Sequence, residues 1–485
     1  MKKFFAIVIL LLVLVSGLWG GAAYWFGVKA EQQYRVLLQQ VSQSQYLKLV
    51  NESYSRGFFE SNARTVLEIR LPHGTAGENQ PFQLTLAQDI RHGPCPLGKS
   101  PDEKWQIKPV MATIETRLIL SPETQSRLAE LCAQIPELAS MRDYTIIYLD
   151  GNGEEHLLIP AFQHTFGQED KVAVDWKGLS LQVNFTADLK GLTGSLSMPG
   201  LEIVGEDLDL RVEDVRSTFN SHEGVDGLWL GEASFDVAGL EFADTRESEP
   251  NAFLIQGFSV NTSSKASGDN INCLVAVRTD QLQFDETQYG PGAFEMEFLN
   301  LDAASLARLE ETVREQQAQP PQQSAEEAQI MLLARYLEIL PGLLKNSPEI
   351  KVRQLDIKTS LGDFTGKAKL AFDGRKLEST QSLLALASAI TAEAEFKVGE
   401  RLLRRVATDM MKDKIAAEWQ EQEGEAPSDD EIDDIVSARI DQQLEALMEQ
   451  NILVKENEDY RASASYKAGQ IVLNGRPLSL QNLMQ

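Results

Sequence analysis

From about Ala63 onward the chain alternates apolar and polar residues in short runs, and this period of two constrains the fold more than any other feature. "ARTVLEIRL" places Thr65, Leu67, Ile69 and Leu71 on one side, and "PFQLTL" repeats the pattern with Phe82, Leu84 and Leu86. Successive strand side chains point to opposite faces, so such runs read as strands with one buried face. "YTIIYLDGNGEEHLLIP" reads as a hairpin, two apolar runs around a Gly-rich turn. "LSLQVNFTADLKGLTGSLSMPGLEIVG", "DLDLRVEDVRSTFN", "GLWLGEASFDVAGLEF", "FLIQGFSVNTSS" and "CLVAVRTDQLQFD" continue as short strands broken by Gly, Asn and Asp. Strand following strand over short connections specifies a long antiparallel meander.

Helices come later. "LDAASLARLEETV" puts Leu306, Leu309 and Val313 at helical spacing, and "AEEAQIMLLARYLEIL" does the same with Ile330, Leu333 and Leu337. Strands return in "IKVRQLDIKTSLGDFTGKAKLAF", followed by a helical pair, "RLLRRVATDMMKDKIAAEW" and "EIDDIVSARIDQQLEALM". Ser428 and Glu431 form a capping box at the start of the second helix. Ile432, Val436, Ile440, Leu444 and Leu447 give that helix one apolar face. "YRASASYKAGQIVLNGRPLSL" closes the chain as a strand pair. The expected class is α+β, β-dominated.

The N-terminus is of another kind. Phe4 to Val28 carries no charge, and at about 1.5 Å per helical residue it is long enough to cross a hydrocarbon core of roughly 30 Å. Lys2 and Lys3 precede it and predict a cytoplasmic N-terminus, with Trp19, Tyr24 and Trp25 at the far interface. A cleaved signal peptide competes, because Gly20 and Ala22, or Gly21 and Ala23, satisfy the small-residue rule. Continuation of the apolar stretch through "YWFGV" favours an uncleaved anchor. No Cys stands near the segment for a lipoprotein anchor, and there is no twin-arginine pair. Residues 32–45 favour helix and prolong the anchor outward.

The expected organisation is a cytoplasmic tip at 1–3, a transmembrane anchor at 4–28 and a juxtamembrane helix at 29–45. A β-rich periplasmic region at 46–300, a helical segment at 301–345 and an α/β region at 346–485 follow, with 46–485 as one continuous elongated domain the alternative. Outside the cytoplasm, three cysteines fit one disulfide and a leftover thiol. Cys273 in "INCLVAV" reads as a buried strand residue. Cys95 and Cys132 make the better pair, and closing their loop is worth roughly 3–4 kcal/mol on the chain-entropy model. Alternatively, Cys132 is a small core residue beside Leu128 and Ile135.

Catalytic arrangements are scarce. The net charge of −27, with no basic stripe, disfavours nucleic acid. The five histidines, His73, His92, His156, His164 and His222, fall in no metal-ligand spacing. "GDFTGKA" is one residue short of a phosphate loop and has Ala368 where Ser or Thr must reach Mg²⁺, so it reads as a hairpin. "DGNGEE" opens like a calcium loop but has Ala161 at the twelfth position, so it reads as a turn. No cofactor is expected.

One stretch invites more. In "YSRGFFESNAR" the residues Tyr54, Arg56, Gly57, Phe58, Phe59 and Ser61 surround two adjacent aromatics, and "DIRHGPCP" follows with His92, Gly93, Pro94 and Cys95. Gly57 permits a positive φ or a bulge, and adjacent strand residues point to opposite faces, so one Phe closes the core and the other is left outside. These two stretches, with the anchor, "GLWLGEASFDVAGL", "FLNLDAASLARL" and "IKTSLGDFTGKAKLAF", resemble the YdgA family of bacterial envelope proteins, a domain of unknown function. Cys95 departs from the apolar residue expected after Gly-Pro. The family has no accepted catalytic residues to carry over. The resemblance implies an inner-membrane anchor and a periplasmic domain in a Gram-negative bacterium.

The leading expectation is therefore a membrane-tethered, non-catalytic envelope protein whose extended sheet binds a protein partner or a lipid chain. The alternatives are an envelope hydrolase using carboxylates and a structural scaffold that oligomerises through the late helical pair. An exposed apolar groove favours the first, and a cleft holding two inward carboxylates with opposed pKa tendencies favours the second.

Overall fold

The computed structural model describes residues 2–41, 47–69, 82–93, 97–99, 105–107, 109–119, 133–167, 171–244, 251–284, 287–318, 335–336, 338–376, 388–423, 429–467 and 469–478. The expected Cys95–Cys132 pair, Pro94, His73, the Ser428 cap and Ile330, Leu333 and Leu337 lie outside these residues. The side chains of residues 1–18 do too. The chain is β-dominated, as its alternation predicts, and every described strand pairing is antiparallel. It divides into two units, Met1–Glu223 with Ala233–Phe235 and Val313–Gln322, and Gly224–Glu232 with Asp236–Thr312 and Gln323–Gln485.

The first unit opens with α1 (Lys2–Val41), which continues beyond the apolar run as expected. Then come β1 (Leu47–Arg56), β2 (Glu60–Ile69), β3 (Phe82–His92), a small ribbon of β4 (Leu97–Lys99) and β5 (Trp105–Ile107), and β6 (Val110–Ile119). β7 (Arg142–Tyr148), β8 (Gly153–Ile159), β9 (Phe162–Phe166), β10 (Val172–Trp176), β11 (Leu179–Phe185), β12 (Gly191–Val204) and β13 (Leu208–Glu223) complete it. The sheet runs β1–β2–β3–β6–β7–β8–β11–β12–β13. β12 is long enough for two partners. Its first half pairs with β11 and its second with β10, which also carries β9. The hairpin expected at "YTIIYLDGNGEEHLLIP" is β7–β8, with Tyr148 donating its N–H to Asn152 O (2.8 Å) and Gly151 at φ 88°.

The core of this unit is the contact of α1 with the sheet. Ala30, Tyr34 and Leu38, at helical spacing, pack on Ala63, Ile90, Met111, Ala112, Ile114 and Ile147. Among the described residues, no helix is long and apolar enough to cross a membrane.

The second unit holds most of β14 (Trp229–Asp244), then β15 (Asn251–Ser267), β16 (Asn270–Thr279), β17 (Gln281–Phe284) and β18 (Thr287–Asp302). Next are α2 (Ala303–Ala318), whose last residues group with the first unit, β19 (Glu349–Thr359), β20 (Phe364–Phe372) and β21 (Ile390–Gly399). α3 (Glu400–Glu423), α4 (Asp429–Glu449), β22 (Val454–Glu456), β23 (Asp459–Lys467), β24 (Gln470–Leu473) and β25 (Arg476–Leu478) finish the chain. Asp302 caps α2, its Oδ1 accepting from Ser305 N (2.9 Å) and Oγ (2.6 Å). The "GDFTGKA" stretch is the β19–β20 turn and strand, as the alternation predicts.

The helical pair α3–α4 is inserted between two adjacent strands, because β21 pairs directly with β23. Val436, Ile440 and Leu444 of α4 are buried against Val398, Leu402, Leu453 and Tyr460. The apolar stripe read along α4 is thus used inside the unit. Cys273 on β16 is half-buried with a free thiol, which burial holds above its ordinary range.

Candidate functional site

The two family stretches meet at α1. Gly57, Phe58 and Phe59 form the tip of the β1–β2 hairpin, with Arg56 opposite Ser61 and Gly57 N donating to Glu60 O (2.8 Å). Phe59 O accepts from His92 N (3.0 Å) at the end of β3, and Gly93 N donates to Met111 O (3.1 Å) on β6. Two corrections follow. Gly57 does not need a positive φ. It is required because a Cβ there would stand 2.4 Å from Glu60 O. Nor do Phe58 and Phe59 divide between two faces. They lie in the turn, where strand alternation does not hold, and both are about half exposed, with ring centroids 4.9 Å apart.

His92 is the centre of the junction. Its ring is 2% exposed, and Nδ1 lies 3.1 Å from Ala23 O, a carbonyl that can only accept. Nδ1 therefore carries the proton, and Nε2 accepts from the Ser61 hydroxyl at 3.0 Å. Burial is the main cause that holds the imidazole below its ordinary pKa, with the Arg56 charge adding to it. A Cβ on Gly27 would stand 2.5 Å from His92 Cε1, and Ala23 and Ser61 are fully buried. Small residues at 23 and 27 are what let the helix approach the ring.

Charge and aromatic contacts reinforce this join on its rim. Arg56 Nη1 bonds Glu31 Oε2 at 2.9 Å, and its guanidinium lies 5.3 Å from the Tyr24 ring centroid. Glu31 also pairs with Arg35 (2.9 Å) one turn on. Below, Tyr34 donates to Gln88 Oε1 (2.7 Å), and Thr65 meets both groups. The Tyr54 ring lies tilted beside that of Tyr34, 5.5 Å between centroids, with its hydroxyl buried against Ser61 without a well-formed hydrogen bond. The stretches singled out in the sequence are thus brought together, and what they contact is the helix.

Two further features went unread in the sequence. Asp143 on β7 and Glu155 on β8 are diagonal cross-strand neighbours, since Thr145 faces Glu155 and Asp143 faces Leu157. Burial, and then the Asp143 charge, push Glu155 up to about 7, and burial raises Asp143 as well. Thr116 supports the Asp143 carboxylate, while Asp143 Oδ1 is buried without a hydrogen-bond partner. Among the described residues, no cluster of His, Cys, Asp or Glu is placed to hold a metal ion.

The second feature is an apolar groove in the second unit. One cavity of about 440 Å³ is lined by Val277, Leu282, Phe284, Tyr289, Phe294 and Ile357. Tyr289 and Ile357 also line its neighbour of about 520 Å³, with Phe364, Phe396, Val398 and Leu402.

The model of a family of bacterial proteins of unknown function, DUF945, matches residues 1–481. The chain belongs to the DUF945 family. Within reach of it, "Protein YdgA" of Escherichia coli is 21% identical over 98% of this chain and 94% of its own length. A Haemophilus influenzae protein described as uncharacterized is 22% identical over 61% of this chain and 82% of its own. No solved structure matches the chain. The resemblance carried by "YSRGFF" and "RHGP" is therefore a DUF945 membership, and in this DUF945 chain Arg56, Gly57, Phe58, His92 and Gly93 stand at the seat of α1.

Proposed function

We propose that this chain is a membrane-tethered protein of the bacterial envelope, non-catalytic, that binds an acyl chain or an apolar segment of a protein partner on its extended sheet. The observation that carries the binding reading is the pair of adjoining apolar cavities sharing Tyr289 and Ile357. Ligand sites are concave and mostly apolar, and each cavity falls in the usual range of roughly 300–1,000 Å³. The uncharged run from Phe4 behind Lys2 and Lys3 supports the tether, with the N-terminus in the cytoplasm and the bulk of the chain in the periplasm.

The test is mass spectrometry of lipids and crosslinked proteins recovered with the full chain from envelope membranes. Ile357→Gln places an amide at the wall common to both cavities. The reading expects a specific lipid or apolar peptide on the unmodified chain and its loss from the variant. Equal recovery from both, or none above a mock purification, counts against it.

A further inference from the structure

We infer that the Gly57–Phe58–Phe59 tip is a second membrane contact, which with Trp19, Tyr24 and Trp25 forms an aromatic collar in the lipid headgroup layer around α1. The inference rests on the tether reading above and adds to it. In this arrangement the first unit is held against the bilayer at a fixed height instead of swinging on its anchor.

Five large aromatics of α1 and the tip are exposed: Trp19 at 45%, Tyr24 at 49%, Trp25 at 54%, Phe58 at 51% and Phe59 at 50%. Phe58 joins the helix to the tip. Its ring centroid lies 6.3 Å from that of Tyr24, and its Cζ would be 3.3 Å from a Cβ on Gly20. The tip therefore reaches further toward the helix N-terminus than the seat at Ala23 and Gly27, and the uncharged run continues beyond it. Five half-exposed aromatics, three of them in ring contact, are costly in water and suit the boundary between headgroups and acyl chains.

Heights agree with this placement. Trp19 and Trp25 are about 9 Å apart along the axis, close to a headgroup layer of some 5–8 Å. Phe4 to Leu18 then rises about 22 Å, a short span that local thinning of the bilayer accommodates. Cations stand beside the collar. Lys29 Nζ lies 5.9 Å from the Trp25 centroid, and Arg56 stacks on Tyr24. On a chain of net charge −27, Lys29 offers the lipid phosphates positive charge where the chain would approach them, while Arg56 keeps its pairing with Glu31.

The full chain carrying Phe59→Trp, in vesicles of phosphatidylethanolamine and phosphatidylglycerol, tests the inference. Phe59 is exposed, so the replacement leaves the packing intact. The vesicles contain lipids brominated either near the headgroup or near the chain ends, and the emission added over the unsubstituted chain is recorded. We expect that added emission to be quenched at least twofold more by the shallow bromines. Protein that floats with the vesicles but whose added Trp is unquenched overturns the collar and leaves the tether standing, as for a surface meant for a protein partner. Stronger quenching from the chain ends overturns the headgroup placement. Protein that fails to float overturns the tether reading and the collar with it.

Discussion

His92 donates its Nδ1 proton to the carbonyl of Ala23, 3.1 Å away and sixty-nine positions earlier in the chain. This one bond, with Ser61 at the opposite nitrogen, ties the N-terminal helix to two strands, β2 and β3. Gly27→Ala should disturb it without altering any polar group. The added carbon would meet a ring fixed at both nitrogens, so it cannot be accommodated by a rotamer change. The expected cost is about 1–3 kcal/mol, measured as a fall in melting temperature. An unchanged melt would mean that the helix does not seat on the sheet.

His92 should also make stability depend on pH. Its folded pKa is lowered, so its contribution is complete above the unfolded value near 6.5 and declines as pH falls from there toward the folded pKa. His92→Gln removes that dependence while keeping a polar group beside Ser61. Melts of both proteins from pH 7.5 down to 5 should converge at the acid end. Parallel curves would show that the ring is already charged in the fold.

The carboxyl pair carries the opposite sign. Glu155 titrates near 7, and its raised pKa means that the pair is best accommodated at low pH and is lost as pH rises through that value. Glu155→Gln should therefore gain on the unsubstituted chain as pH rises from 5 to 7, by about 2–3 kcal/mol, and keep that gain to pH 8.5. A stability difference that does not change with pH would indicate that Asp143 and Glu155 do not share a proton.

At the hairpin tip the expected pattern is asymmetric. Gly57→Ala drives a carbon into Glu60 O and should cost about 1–3 kcal/mol. Phe58→Ala and Phe59→Ala remove exposed rings and should each stay within about 1 kcal/mol. A large loss from either Phe would place that ring in the core after all.

Arg56→Lys tests the rim. Lysine keeps the charge beside Glu31 but loses the planar stack on Tyr24. Because the Arg56 and Glu31 side chains are only partly covered, the expected cost is about 1 kcal/mol or less. Rescue to full stability would assign the contact wholly to charge.

The local pattern carried much of the fold. Alternation at "YTIIYLDGNGEEHLLIP" and helical spacing at Val436, Ile440 and Leu444 correspond to a hairpin and a buried helix face. In both cases the period states which face is apolar, and the partner is close in sequence. Phe58 and Phe59 were misjudged because a strand rule was applied to turn residues. The seat of α1 was out of reach for another reason. Ala23 and Gly27 look like part of a uniformly apolar run, and only the fold brings His92 beside them. The same holds for Asp143 and Glu155, which pattern analysis reads as solvated strand residues until the register sets them on one diagonal. Family motifs flagged the junction, but they named its residues without naming their partner.

The strand order has a consequence for how such a chain acquires its structure. From β1 to β8, each strand of the first unit's sheet pairs with the one before it, and because closure entropy grows only slowly with length, the connections between them cost little more than tight turns. Low contact order of this kind allows hairpins to form in the order of synthesis, without waiting for the C-terminus. The N-terminal helix is the exception. It is made first, but His92 and Met111 must follow before its buried face is covered, so Ala30, Tyr34 and Leu38 stay open until the fourth strand of the sheet, β6, is in place. Later in the chain β21 waits similarly, holding an unpaired edge while the whole α3–α4 hairpin is completed and β23 returns to it. Those two intervals are when this protein has most need of protection against wrong pairing.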